Sequence, residues 1–187
     1  MATASDLSRG SFIRFNNELV QVLEYEHRTP GNLRAFYQVK MRNVKSGKQL
    51  ENRFRVGEAI EIVRVEMREL QFLYREGENL MVMDTTSFDQ FGVPELLFGE
   101  AVKFLKEGDA VKIAFDDNES PVSGEMQPYV TMEITYTEPG IAGDTATKTL
   151  KPATLETGAE IKVPLFVNQG DKIRIDTRTG EYMERVK

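Results

Sequence analysis

The stretch Tyr37-Gln38-Val39-Lys40-Met41-Arg42, followed shortly by Leu50-Glu51-Asn52-Arg53-Phe54-Arg55-Val56, decides the fold class. Tyr37, Val39 and Met41 alternate with Gln38, Lys40 and Arg42, and Leu50, Phe54 and Val56 alternate with Glu51, Arg53 and Arg55. Side chains of a strand change face at each residue, so both stretches bury one side and show the other. Ser46-Gly47-Lys48 supplies a turn between them, which predicts neighbouring strands. In both, the polar face is the basic one, and pairing would gather those cations into one patch.

Outward from this pair the same pattern continues. Residues 19–27 and 35–42 read as strands, with Arg28-Thr29-Pro30-Gly31-Asn32-Leu33-Arg34 between them. Pro and Gly at the two central positions of a turn starting at Thr29 satisfy a type II turn, and Asn32 tolerates left-handed angles. The result is a projecting tip with Arg28 and Arg34 at its base. Such a tip suits insertion into a phosphate-rich cleft; an ordinary hairpin with two solvated arginines accounts for it as well. Further on, Val63, Val65, Met67, Leu70, Phe72 and Tyr74 lead through Glu76-Gly77-Glu78-Asn79 to residues 80–83, a hairpin pattern. Leu97, Ala101, Phe104 and Leu105 have the spacing of one buried helix face, with Gly108 as a stop. Strand patterns return in residues 111–115, in Val130, Met132, Ile134 and Tyr136, in Ile161, Val163, Leu165 and Val167, and in Ile173 and Ile175. About five short strands per 60 residues or so, with one small helix at most, fits small barrels of the OB type. The last two segments read this way and the first as a smaller barrel-like sheet.

The chain has 187 residues and a net charge of −6. Its pattern resets near Arg64 and near Gln127, and charge follows that division. Residues 1–64 carry eleven Lys/Arg against seven Asp/Glu, residues 65–128 carry five against fourteen, and residues 129–187 carry eight against nine. Within the first segment, residues 28–55 hold Arg28, Arg34, Lys40, Arg42, Lys45, Lys48, Arg53 and Arg55 against Glu51 alone. A strongly basic stretch in an acidic protein suggests a polyanion partner, because phosphate binding scales with the cations brought to one surface. A solvated strand face explains the same charges equally well.

There is no Cys, which excludes disulfides, thiolate metal sites and Cys nucleophiles. His27 is the only histidine, so a His-rich metal centre is excluded and a Ser-His-Asp triad would need that one residue. No apolar run approaches the roughly 18 residues of a membrane span. Residues 1–6 have neither a basic nor an apolar leader region, so the expectation is a cytoplasmic protein. Asp116-Asp117-Asn118-Glu119 has oxygen ligands for a divalent cation but lacks the spacing of a known loop, and a solvated turn is the better reading. Glu66, Glu69, Glu76 and Glu78 could include a carboxylate pair for glycoside chemistry, but surface charge on strands and turns is the better reading. No metal site, cofactor or catalytic residue is expected.

Three longer motifs carry a family resemblance. The run Lys148-Thr149-Leu150-Lys151-Pro152-Ala153-Thr154-Leu155-Glu156-Thr157-Gly158-Ala159, then Val163-Pro164-Leu165-Phe166, then Asp176-Thr177-Arg178-Thr179-Gly180-Glu181-Tyr182, resembles the C-terminal domain of bacterial elongation factor P. Gly143-Asp144-Thr145 and Pro30-Gly31 match that family too, and the resemblance covers the whole chain. It implies an all-β protein of three small barrels, a KOW/SH3-like barrel (1–64) followed by an acidic OB-fold (65–128) and a C-terminal OB-fold (129–187), arranged in an L that mimics tRNA. It implies a monomer that binds the ribosome between the peptidyl-tRNA and exit sites and relieves stalling at consecutive prolines by steadying peptidyl-tRNA, without being an enzyme.

Carried over by position, the resemblance places tRNA and ribosomal-RNA contacts at Arg28, Pro30, Gly31, Arg34, Lys40, Arg42, Arg53 and Arg55. It places a contact with the exit-site mRNA codon at Gly143, Asp144 and Thr145, and a small-subunit contact at Tyr182 and Arg185. Many members carry a Lys or Arg at the loop tip that is enzymatically extended. Here Asn32 stands at that position, and it has neither the amine nor the guanidinium those enzymes modify. The expectation is an unmodified loop. A general single-strand-binding OB protein is the first rival, weakened by the acidic middle segment and the absence of Trp. A small hydrolase with an acidic site ranks below it.

Overall fold

A computed structural model of the chain describes residues 2–31, 33–140 and 150–186. Among these residues the structure is built from three five-stranded sheets. The first comprises β1 (Phe12–Phe15), β2 (Glu18–Arg28), β3 (Phe36–Asn43), β4 (Gln49–Arg55) and β5 (Glu61–Val63), in the order β4-β3-β2-β1-β5. The second has β6 (Glu66–Glu76), β7 (Asn79–Met83), β8 (Gln90–Pro94), β9 (Ala110–Phe115) and β10 (Pro121–Met126), in the order β10-β9-β6-β7-β8. The third has β11 (Tyr129–Thr137), β12 (Leu150–Leu155), β13 (Glu160–Pro164), β14 (Lys172–Asp176) and β15 (Glu181–Val186), in the order β13-β12-β11-β14-β15.

The predicted pairing of the two opening stretches is present: β3 and β4 are antiparallel, with Tyr37 opposite Phe54 and Met41 opposite Leu50. The turn between them is organised by Asn43, whose side-chain oxygen accepts the backbone N–H groups of Lys45 and Ser46 at 2.9 and 2.8 Å. Gly47 takes a positive φ of 69°, an angle that costs little only without a Cβ. Val56, expected to continue the apolar face, lies beyond the end of β4 and is exposed, because the chain turns there through Gly57 at φ 82°.

The expected amphipathic helix is not an α-helix. Glu95–Phe104 is a 3-10 segment interrupted at Gly99, whose φ of 57° and ψ of −146° break the helical path. Leu97, Phe98 and Phe104 are buried from it, and Leu105 just after it. The apolar spacing was therefore readable, but a glycine in a non-helical conformation divides it into two short turns.

By contact, the chain falls into two compact units, Met1–Arg68 with Ile113–Gly124, and Glu69–Lys112 with Glu125–Lys187. In the first unit Ile13, Val20, Val22, Val39, Met41 and Phe54 form the core, with Phe15 set edge-on to Phe54 at 5.7 Å. A second cluster joins Phe12, Leu19, Val44 and Val63 to Ala114 and Val122. In the second unit Phe104 is wholly buried with Met132, Ile134, Leu155, Val163, Ile173 and Ile175. Burying a phenylalanine completely contributes roughly 1.5–3 kcal/mol, so the 3-10 segment is tied to the β11–β15 barrel by its last side chain.

Candidate nucleic-acid interface

The outer face of the first sheet positions most of the predicted cations. β2 pairs with β3 along nearly its whole length, with a bulge between Val22 and Glu24 that resets its phase. Four rows result from these pairings. Arg28, Phe36 and Arg55 lie side by side; then Glu26, Gln38 and Arg53; then Glu24, Lys40 and Glu51; then Gln21, Arg42 and Gln49. Because cross-strand partners share a face, Glu24 of β2 and Glu51 of β4 come to lie on either side of Lys40 of β3.

The patch is thus graded rather than uniform. Lys40 donates to Glu24 at 3.0 Å and faces Glu51, and this hydrogen bond to Glu24 raises its pKa above the usual lysine value. Gln38 donates to Glu51. Arg28 binds Glu26 through Nε and Nη2 at 3.1 and 2.8 Å. These groups line a shallow cleft of about 380 Å³ with Tyr25, in which the carboxylates of Glu24, Glu26 and Glu51 outnumber the cations Arg28 and Lys40. Toward the loop the balance changes. Arg53 stacks over the Phe36 ring at 5.2 Å, and Arg55 lies in the Phe36 row. Arg34 is exposed just before β3. Arg42, half-buried, donates to Gln21 at 3.1 Å. Arg34, Arg53 and Arg55 make no ion pair among the described residues.

At the tip, Leu33 N–H donates to the Pro30 carbonyl at 2.8 Å. That bond closes a turn one residue later than one starting at Thr29. Gly31 has φ 25°, and nothing lies within 4 Å of where its Cβ would stand. The predicted tip residue Asn32 lies outside the described residues, as do Gly143, Asp144 and Thr145. Below the tip, the His27 and Tyr37 rings lie 4.8 Å apart.

Tyr182 and Arg185, both on β15, are brought together by a residue to which the sequence assigned no role. The exposed ring of Phe166 stands 6.4 Å from Tyr182, edge-on, and 5.9 Å beneath the Arg185 guanidinium. Arg185 also reaches Asp171 at 3.5 Å, and burial pushes the Tyr182 hydroxyl above its ordinary pKa. A second cluster was missed altogether. Arg174 and Arg178 both stack on Tyr129, at 4.9 and 5.4 Å, and Arg178 grips Asp176 at 2.6 and 3.0 Å. The Arg178 guanidinium holds the Asp176 carboxyl down to about 2. Tyr129 and Arg178 are 49 positions apart, and only the β11–β14 register signals their contact.

The remaining candidates are structural in their contacts. Asp116 accepts the N–H groups of Asn118 and Ser120, both at 2.9 Å, closing the β9–β10 turn. Glu66 and Glu119 both bind Arg68, which also covers Phe115 at 4.7 Å. No helix of the described residues is long and apolar enough to cross a membrane.

Three small sheets, with an arginine-bearing hairpin on the first, define a class of tandem small-barrel proteins. Family models refine this in order along the chain: the elongation factor P KOW-like domain matches residues 3–60, the OB domain 65–123 and the C-terminal domain 130–185. The chain belongs to the elongation factor P family. It is 49% identical to elongation factor P of Chloroflexus aggregans over 98% of both chains, and 50% identical to that of Roseiflexus sp. strain RS-1 over the full length of both. A solved structure of eukaryotic translation initiation factor 5A from Methanococcus jannaschii shares the fold at 15% identity, with a TM-score of 0.50 over 67% of this chain and 90% of that one.

Proposed function

We propose that this protein binds the ribosome between the peptidyl-tRNA and exit sites and speeds peptide-bond formation at consecutive prolines by positioning peptidyl-tRNA. The observation that carries the reading is the match to elongation factor P over the full chain at about 50% identity, with the three family segments in order. The hairpin supports it physically. Its loop-proximal end concentrates Arg34, Arg53 and Arg55 near the half-buried ring of Phe36, a combination suited to phosphate and base contact.

The protein itself supplies no reacting group in this reading. Holding two reactants in a productive pose contributes several kcal/mol by itself, and the ribosome's own RNA forms the bond. Arg28, Pro30, Gly31, Arg34, Arg42, Arg53 and Arg55 brace the tRNA and large-subunit RNA, with Asn32 at an unmodified tip. Lys40 serves mainly to balance Glu24 and Glu51. Gly143, Asp144 and Thr145 meet the exit-site codon, and Tyr182 and Arg185 the small subunit. The domains are 1–64, 65–128 and 129–187, and the protein works as a cytoplasmic monomer.

Competition tests the location. Purified ribosomes carrying peptidyl-tRNA should bind the labelled protein when the exit site is vacant and lose it when deacylated tRNA fills that site. Binding indifferent to the exit-site tRNA would refute the placement.

A further inference from the structure

The β7–β8 turn holds an arrangement that the tRNA-facing reading does not use. Phe88 has φ 64°, in the left-handed region, and the residue is 69% exposed. A bulky residue is an outlier there, because its Cβ crowds the backbone. If closing the turn were the only requirement, Gly or Asn would meet it at less cost.

The loop is nonetheless held firmly. Asp84 accepts the N–H groups of Thr86 and Ser87 at 2.7 and 3.1 Å, and Phe88 N–H donates to the Asp84 carbonyl at 2.8 Å. Asp84 N–H donates to the Asp89 carbonyl at 3.0 Å, and the Ser87 hydroxyl donates to the Asp89 carboxylate at 2.8 Å. A strained conformation persists where its surroundings over-determine it, and such strain marks functional positions. Here the bonded loop presents an apolar ring to solvent, with Asp84 four residues before it and Asp89 next to it in the chain.

We propose that Phe88 is the anchor of a protein-docking surface, and that its partner is a protein with an apolar pocket rimmed by Lys or Arg. The ring supplies rigid apolar area of the kind that dominates interface energetics. Asp84 and Asp89 flank it in the sequence, within residues 65–128, which carry fourteen acids against five bases. That charge repels phosphate and attracts a basic protein rim. The occupant is therefore protein and not RNA. The choice of ribosomes as the probe rests on the proposed function.

The experiment compares wild type, F88N and F88L for affinity to purified ribosomes and for Tm, and places a photoreactive benzoylphenylalanine at position 88. Asn adopts left-handed angles readily, so F88N should keep or raise Tm while weakening binding about tenfold or more. F88L should retain part of the affinity, and the photoprobe should cross-link to a ribosomal protein. Wild-type affinity in F88N, a marked fall in its Tm, or cross-linking to RNA would overturn the anchor. The two readings separate cleanly: a wild type that binds while F88N binds equally sinks only this inference, whereas a wild type that does not bind ribosomes sinks both.

Discussion

Replacing Arg34, Arg53 and Arg55 together by alanine removes three cations toward the loop that carry no carboxylate partner among the described residues. Each phosphate contact contributes about 0.7–0.9 to the slope of log affinity against log salt. Three such contacts contribute about 2–3, so between 50 and 200 mM salt the wild-type advantage should shrink by roughly 20- to 40-fold. K40A provides the internal control. Lys40 sits 3.0 Å from Glu24 and opposite Glu51, so its charge is already balanced within the sheet. Its removal should change the slope by well under about one unit. The assay is equilibrium binding of the labelled protein to ribosomes carrying peptidyl-tRNA over a salt series, with Tm measured on each variant. The reasoning fails if the triple variant keeps the wild-type slope, or if K40A flattens it as much.

Three further outcomes follow from particular side chains. Phe104→Ala should lower stability by about 3–5 kcal/mol, since the ring is fully buried in the β11–β15 core; a urea midpoint near that of wild type would contradict the packing. Arg178 depresses the Asp176 carboxyl to about 2 from an ordinary 3.8, so its stabilisation is fully present above about pH 4 and is lost as pH falls through about 2. The urea midpoint of wild type should accordingly exceed that of D176N at pH 6, and the two should converge toward pH 2; a gap that persists in acid would be the wrong sign. Peptides spanning residues 28–35, from protein purified from its own host, should show the mass of the unmodified sequence; an added mass there would end the unmodified-loop reading.

Much of the fold was legible because alternation in strands is a local signal. Val39, Met41 and Phe54 fall on the buried face as the pattern requires. The 3-10 segment was misjudged because apolar spacing reports which residues are buried, not the backbone angles at Gly99. The charged face was misread for a different reason. Glu24 and Glu26 are plain in the sequence, but their placement beside Lys40 and Gln38 depends on the β2 bulge, which sets the register between the two strands. Tyr136 shows the same effect in the third sheet: it continues the apolar alternation of Met132 and Ile134, yet the bulge before it leaves it exposed. Phe88 was invisible for want of any one-dimensional signature, since its significance lies in φ.

The central claim is that a protein contributing position rather than chemistry accelerates the ribosome at proline runs. The direct measurement is the rate of peptide-bond formation on purified ribosomes halted at three consecutive prolines, with and without the protein. The account predicts a faster rate that the Arg34, Arg53 and Arg55 variant largely loses. An unchanged rate on addition of the wild-type protein would contradict it.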